Sequence, residues 1–318
     1  MAILKSTAHP FCNTFDREVL KQKLAAESRP RVTRSFYVYQ PLNKLEELRN
    51  QLYLTWRSLA VLGRVYIAAE GINAQVSVPE ENVSKFKQMV LASFPDIHWG
   101  GVVEDGRSFL KLTIKIKQQL VASGDELGGE KNIPMERVGQ HLTALEWHQM
   151  MDDPNSVTID VRNEYEHAIG HFEGAHLMAS SSHRQQYQEI LNTFNEDKQK
   201  KILLYCTGGI RCEKTSAFLL QHGFSQVYQL QGGITGYKKE IDHHGLISRF
   251  KGKNFVFDDR LGERITGDVI SECYTCGKPS DDYHNCAWLG CHTLFIQCAE
   301  CRKKMDHCCS ESCQNKNS

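Results

Sequence analysis

At 318 residues, with 41% apolar side chains, the chain is long enough for two or three domains with cores of their own. Its 38 basic residues are matched by 38 acidic ones, so net charge argues neither for nor against nucleic acid, and any basic footprint has to be local. No run approaches the roughly eighteen apolar residues of a membrane span, and Met1-Ala2-Ile3-Leu4-Lys5 does not open a secretory leader. The expectation is a protein of the reducing cytoplasm with no membrane partner, where clustered cysteines favour metal over disulfides.

Residues 1–30 read as an N-terminal extension, with one amphipathic helix from Phe15 to Ala26 between Pro10 and Pro30, and with Cys12 as a bystander. Residues 31–120 read as a ferredoxin-like α+β domain in βαββαβ order. Ser35 to Tyr39 has strand composition, Leu42 to Leu62 has helical spacing, and Arg64 to Ala69 and Ile72 to Val78 are strands separated by Glu70-Gly71. Glu80 to Ala92 follows as a helix, and Phe109 to Lys115 alternates as an edge strand. Many RNA-binding domains share that architecture, but the aromatic sheet motif of an RNA-recognition domain is absent, so the fold alone argues little. Glu70-Gly71-Ile72-Asn73 is either a functional turn or a plain tight one.

Gly124, Gly128, Gly129 and Pro134 among charged residues mark 121–140 as a linker. From 141 to 245 strands and helices alternate: a helix from Leu142, strands at Val157 to Arg162, Lys201 to Tyr205 and Gln226 to Leu230, and a helix from Lys214 to His222 stopped by Gly223. That order implies an α/β domain, a parallel sheet flanked by helices, with its ligand site at the carboxyl ends of the strands. Asp160, Arg162 and Glu166 lie at or just beyond such an end and read as an ion-pair and hydrogen-bond frame rather than as reacting groups. The stretch Tyr205 to Glu213 runs from a strand through Thr207, Gly208, Gly209 and Ile210 into a helix. It places Cys206 at a helix N-terminus, where converging N–H groups and the helix dipole favour the thiolate. Arg211 would orient the loop and its anion. Cys212 is either a resolving thiol or a small residue buried in the first helical turn.

Residues 246–318 read as a small Cys-rich domain. Lys238, Lys239, Arg249, Lys251 and Lys253 outnumber the local acids; Lys251 and Lys253 are candidate RNA-phosphate contacts, with a solvated linker as the alternative. Nine cysteines lie between Cys273 and Cys313. Cys273, Cys276, Cys286, Cys291, Cys298, Cys301, Cys308 and Cys309 are expected to hold one or two structural zinc ions, since a short segment cannot bury much of a core and gains from a metal staple. His284, His292 and His307 are possible nitrogen ligands. Spacing leaves open whether the pairs join in sequence or cross over.

Asp160-Val161-Arg162, Gly170 to Ala175, Cys206 to Arg211 and Gln231-Gly232-Gly233-Ile234 together resemble a rhodanese domain. Arg211 stands five residues after Cys206, one closer than in the related tyrosine-phosphatase loops, which suits a sulfur atom better than a phosphate. Gly63 to Asn73, Tyr205 to Lys214, and Phe255 to Leu261 with Cys273 to Cys309 extend the resemblance to the bacterial rhodanese-containing hydroxylases of the tRNA wobble uridine. It spans about residues 34 to 310. It implies oxygen-dependent conversion of uridine 34 in the anticodon region of tRNA to 5-hydroxyuridine, with Cys206 at the active-site position, molecular oxygen as co-substrate and an unidentified electron donor. Gln118-Gln119 and Ser180-Ser181-Ser182-His183 depart from that family's pattern. No G-x-G-x-x-G follows a strand, so no nucleotide cofactor is expected. The alternatives are a sulfurtransferase working through a Cys206 persulfide and a non-catalytic RNA-binding protein; the intact cysteine loop argues against the latter.

Overall fold

A computed structural model describes residues 16–103, 108–121, 133–178, 183–258 and 260–317. Cys12 and Ser180 to Ser182 lie outside the described residues. The chain divides into two compact units, one up to residue 124 and one from residue 125 onward.

In the first unit Asp16 caps α1 (Arg17–Ala26) by accepting from the Glu18 N–H at 2.8 Å, and Leu20 and Leu24, one turn apart, form its buried stripe. Then come β1 (Arg31–Tyr39), α2 (Leu45–Ser58), β2 (Leu62–Ala68), β3 (Gly71–Pro79), α3 (Val83–Ser93), β4 (His98–Val103) and β5 (Leu112–Ile116). The sheet order is β4-β1-β3-β2-β5, antiparallel except for the last pair. The ferredoxin-like expectation holds, but the strand that completes it is β4, beside β1. The stretch around Phe109 to Lys115 supplies instead an added edge strand, β5, parallel to β2. Gly100 and Gly101 dilute the strand signal of β4, which is why alternation alone misses it. Along β3 the alternate residues Ile72, Ala74, Val76 and Val78 are buried, packed with Trp56 of α2 and Phe86 of α3. Phe36 sits among Trp56, Phe86 and Trp99, with ring centroids 5.1–6.1 Å away. Glu70 belongs to the hairpin turn between β2 and β3, and its carboxylate accepts from the Leu120 N–H at 2.6 Å, which gives this turn a structural task.

The second unit begins with β6 (Gln140–Leu142), α4 (Ala144–Met151), β7 (Ser156–Asp160), α5 (Glu164–Ala168), β8 (Gly170–Phe172) and β9 (His176–Leu177). It continues with α6 (His183–Phe194), β10 (Lys201–Tyr205), α7 (Ile210–Gln221), β11 (Val227–Leu230) and α8 (Gly233–His244). The sheet is wholly parallel in the order β6-β11-β10-β7-β9, so β10 lies at its centre. A central parallel strand is covered on both faces and reads as a continuous apolar run. In β10 the residues Ile202 and Leu204 face one core, with Cys212 and Phe218 of α7 and Ile190 of α6. Leu203 and Tyr205 face the other, with Trp147 of α4 and Tyr237 of α8. Ile133, in the stretch read as linker, is buried in the first of these cores.

The remaining elements are β12 (Phe250–Asn254), β13 (Glu263–Arg264), β14 (Tyr283–Asn285), β15 (Leu294–Ile296), α9 (Ala299–Lys304) and α10 (Glu311–Asn317). β12 pairs antiparallel with β8, so the start of the region read as tail is bonded into the central domain. Phe172 joins these layers: its ring lies 4.8–5.5 Å from those of Tyr205, Tyr237, Phe250 and Trp147. Phe172→Ala should destabilise this unit by about 3–5 kcal/mol, read as a lower denaturant midpoint with the same slope.

Candidate functional site

Cys206 directly follows the central strand β10, and the loop Thr207-Gly208-Gly209 turns the chain into α7. Gly209 adopts φ 103°, a conformation that side-chain-bearing residues avoid, and this brings its N–H onto the Cys206 Sγ at 3.1 Å. Cys212, in the first turn of α7, belongs to the same buried cluster as Cys206. Cys206 is only 1% exposed, and burial by itself would push its thiol up. Polar interaction with Cys212, the nearby Arg211 charge and the Gly209 N–H outweigh burial and hold it down at about 5. Cys212 shifts the opposite way: burial and the neighbouring Cys206 push its thiol up and keep it protonated. The pair is therefore one thiolate and one thiol.

The loop is propped from behind by α8. The N–H groups of Ile234 and Thr235 donate to the carbonyls of Cys206 and Thr207 at 3.0 and 3.2 Å. Gly233 permits that approach, because a Cβ there would stand 2.5 Å from the Cys206 carbonyl oxygen and 2.7 Å from the Gly208 nitrogen. The Gly-Gly pair before a helix was visible in the sequence, but its task was not. At Gly208, by contrast, a Cβ would meet nothing within 4 Å among the described residues.

Arg211 does not point its fork at the sulfur. It makes a bidentate pair with Glu166, Nη1 to Oε2 at 2.7 Å and Nη2 to Oε1 at 2.8 Å, and Thr207 Oγ1 lies 3.3 Å from each partner. Glu166 is fully buried and also accepts from the Asn163 N–H, within the capping box of α5. Beneath it, Asp160 accepts from Arg162 Nε and Nη2 at 2.9 and 2.7 Å and from the Tyr205 hydroxyl at 2.7 Å, and His167 Nδ1 lies 2.9 Å away. Burial opposes both charges in the Asp160–Arg162 pair, yet their mutual attraction holds the carboxyl below and the guanidinium above its ordinary range. Arg162 Nη2 also donates to the Gly170 carbonyl at 2.6 Å, and Gln186 Nε2 donates to the Arg162 carbonyl. Asp160, Arg162 and Glu166 thus form a frame under the loop. Gln186, His167 and Tyr205 belong to it as well, unmarked by any motif.

The tail brings its sulfurs together in two groups of four, Cys273, Cys276, Cys298 and Cys301, and Cys286, Cys291, Cys309 and Cys313. The pairs interleave along the chain, which answers the question that spacing left open. One expected ligand is corrected. Cys308 is fully buried with its Sγ donating to the Asp306 carbonyl at 3.6 Å, and Cys313 takes the fourth place, four residues beyond Cys309 at the start of α10. His284, His292 and His307 join neither group. Nearest sulfur separations are 3.6–3.8 Å, too long for a bond between them. They match the edges of about 3.8 Å that a tetrahedron with Zn–S distances of about 2.3 Å would have. The tail abuts the central domain through Phe255, whose ring meets Tyr165 at 5.0 Å and Tyr283 at 5.7 Å.

Lys251 and Lys253 are not a free basic patch. Lys251 pairs with Glu173 at 3.2 Å, and Lys253 pairs with Asp281 and Asp282 at 2.7 and 2.9 Å. Pairing on β12 thus matches both charges within the fold, which a linear count of basic residues does not reveal.

Two measurements test this arrangement. Alkylation of Cys206 by iodoacetamide, followed by peptide mass spectrometry, should stay near its plateau down to mildly acidic pH. It should fall to half at about pH 5, because the group is thiolate above that value and thiol below it. Arg211→Ala would strand the buried Glu166 carboxylate and should cost about 3–5 kcal/mol of stability, measured by denaturant unfolding.

Comparison with known proteins follows this division of the chain. Residues 31–120 match the UPF0176 acylphosphatase like domain, 143–240 the Rhodanese-like domain and 251–314 the Rhodanase C-terminal model. Among solved structures, the Rhodanese-like Domain Protein from Staphylococcus aureus is similar at 22% identity, covering 31% of this chain and 90% of that one with a TM-score of 0.26. A "tRNA uridine(34) hydroxylase" of Leptospira interrogans is 48% identical over 96% of this chain and 83% of its own length. One of Enterobacter sp. is 44% identical over 95% and 86%. With identity of that order sustained along nearly the whole sequence, the chain belongs to the family of the tRNA uridine(34) hydroxylases.

Proposed function

We propose that the chain is an oxidoreductase of tRNA modification that hydroxylates uridine 34, the wobble position, to 5-hydroxyuridine with molecular oxygen as co-substrate. The observation that carries this reading is an ionised cysteine in a Gly-rich loop between strand and helix, in a chain whose relatives bear that name over nearly its full length. Cys206 is the group placed to meet the base. The backbone of Thr207, Gly208, Gly209 and Ile210 shapes the cradle, and the Gly209 N–H stabilises negative charge on the sulfur. Arg211 keeps Cys206 ionised by its charge while Glu166 fixes its position. Asp160 and Arg162 hold the strand ends on which the loop rests. Sulfur transfer through a Cys206 persulfide is not favoured, since the relatives are named as hydroxylases.

Each sulfur tetrad would hold one structural zinc ion. Four thiolates close the coordination shell, so the metal staples the tail and leaves no position for a reacting ligand. The domain limits we adopt are 1–30 for the extension, 31–120 for the ferredoxin-like domain, 121–140 for the linker, 141–245 for the rhodanese domain and 246–318 for the Cys-rich domain. Among the described residues no helix is long and apolar enough to cross a membrane. The thiol-rich tail suits a reducing cytoplasm.

Nucleoside mass analysis of tRNA decides the activity. Cells lacking the protein should lose 5-hydroxyuridine derivatives and regain them with the wild-type gene but not with Cys206→Ser. Loss of thiolated nucleosides instead would favour sulfur transfer. For the metal, the purified chain should carry two zinc ions; Cys313→Ser should release one of them, whereas Cys308→Ser should keep both.

A further inference from the structure

We propose that a cationic cleft in the first unit binds a nucleotide phosphate of tRNA, an assignment that rests on the hydroxylase reading above for the identity of the RNA. The cleft, of about 330 Å³, is lined by the C-terminal ends of α1 and α2 and by the start of β5. Five cations line it, Lys23, Arg29, Arg31, Arg57 and Lys111, against the single carboxylate of Glu27. Basic and acidic residues balance along the whole chain, so an excess of this kind is a local footprint and not a sample of the average. Lys251 and Lys253 do not provide such a footprint, because the fold matches their charges.

The five cations do not share one task. Arg31 is buried, and its guanidinium is used up within the fold. Its Nε donates to Ser77 Oγ at 2.8 Å, Nη1 to the Glu27 carboxylate at 3.1 Å, and Nη2 to the Ala60 and Ser77 carbonyls at 2.6 and 2.8 Å. Arg29 lies 2.5 Å from Glu27 and 3.3 Å from Glu81, so the one carboxylate of the cleft is shared between two guanidinium groups. Arg57 and Lys111 differ: both are exposed, and neither side chain has an ion-pair or hydrogen-bond partner among the described residues. Lys23 and Arg57 stand in the last turns of their helices, where a positive charge complements the helix dipole. That task does not explain Lys111, which belongs to no helix and is pinned at the head of β5 by its carbonyl, accepting from the Gly63 N–H at 2.9 Å. Unpaired cations at the rim of a concave site suit an anion, and the floor indicates which kind. Leu24, Tyr53 and Val61 are buried and largely apolar, so the cleft offers surface for a sugar or base beside the phosphate.

The test measures binding of unmodified tRNA to the full-length protein by fluorescence anisotropy across a salt series. Arg57→Gln combined with Lys111→Gln removes both unpaired charges without touching a contact of the fold. This double variant should bind about tenfold more weakly and lower the slope of log affinity against log salt by about one. Lys85→Gln, which removes an exposed cation of α3 outside the cleft, should change neither. Binding by the double variant equal to that of wild type overturns the proposal, as does an equal loss in Lys85→Gln. Calorimetric titration with adenosine monophosphate distinguishes a free nucleotide. Heat seen with wild type and lost in the double variant, with tRNA binding unchanged, would remove RNA as the occupant. Wild-type protein that binds no tRNA would remove the hydroxylase reading itself, a result distinct from equal binding by wild type and double variant.

Discussion

The second unit is arranged around one awkward requirement: a sulfur anion has to exist where almost no water reaches it. Burial alone would return the proton to Cys206, so every compensating dipole has to be delivered by the backbone or by side chains that are themselves fixed. The strand sets the sulfur's position, the turn at Gly209 aims an N–H at it, and the first helical turn brings up the Arg211 charge and Cys212. None of these groups can relax away without breaking α7 or the central sheet. Arg211 contributes as a charge, not as a ligand, because both arms of its fork are held by Glu166. The same clamp holds a long flexible side chain in one place.

The frame beneath the loop follows from that requirement. Asp160 and Arg162 are buried charges that satisfy each other and tie β7 to the Gly170 carbonyl and to Tyr205 of β10. A buried ion pair of this kind adds little net stability over an apolar substitute, but it admits few alternative arrangements. Here it fixes the ends of two adjacent strands, and those ends carry the loop. Gly233 does the same from the other side, letting α8 close on the Cys206 and Thr207 carbonyls.

Much of this was legible in the sequence because it follows local rules. An apolar run, a Gly-rich turn and a helix give β10, the loop and α7, and they place Cys206 at a helix N-terminus. What could not be read depends on distance in space. The donation from the Gly209 N–H to the sulfur requires the turn geometry that only folding creates. The identity of the fourth ligand in the second tetrad depends on how the chain reverses before α10, where Asp306 and His307 take positive φ values and direct Cys308 inward. Lys251 and Lys253 look free in a linear count, but β12 pairs with β8 and the fold matches their charges. In the first unit β4 was hidden by its glycines, while β5 alternated well enough to pass for it.

The interleaved order of the sulfur tetrads has a consequence for how the tail is assembled. Cys273 and Cys276 precede the β14–β15 hairpin and Cys298 and Cys301 follow it, so the first tetrad grips the base of that hairpin. Cys286 and Cys291 lie at its far end and meet Cys309 and Cys313, so the second tetrad ties its tip to α10. Neither set can be completed as an independent bead on a string, because each encloses chain that belongs to the other. Loss of the first knot would free the base of the hairpin, and with it Tyr283, whose ring reaches through Phe255 to Tyr165, the neighbour of Glu166 on α5. The cysteine-rich tail is therefore mechanically continuous with the wall of the pocket, and slack in one becomes slack in the other.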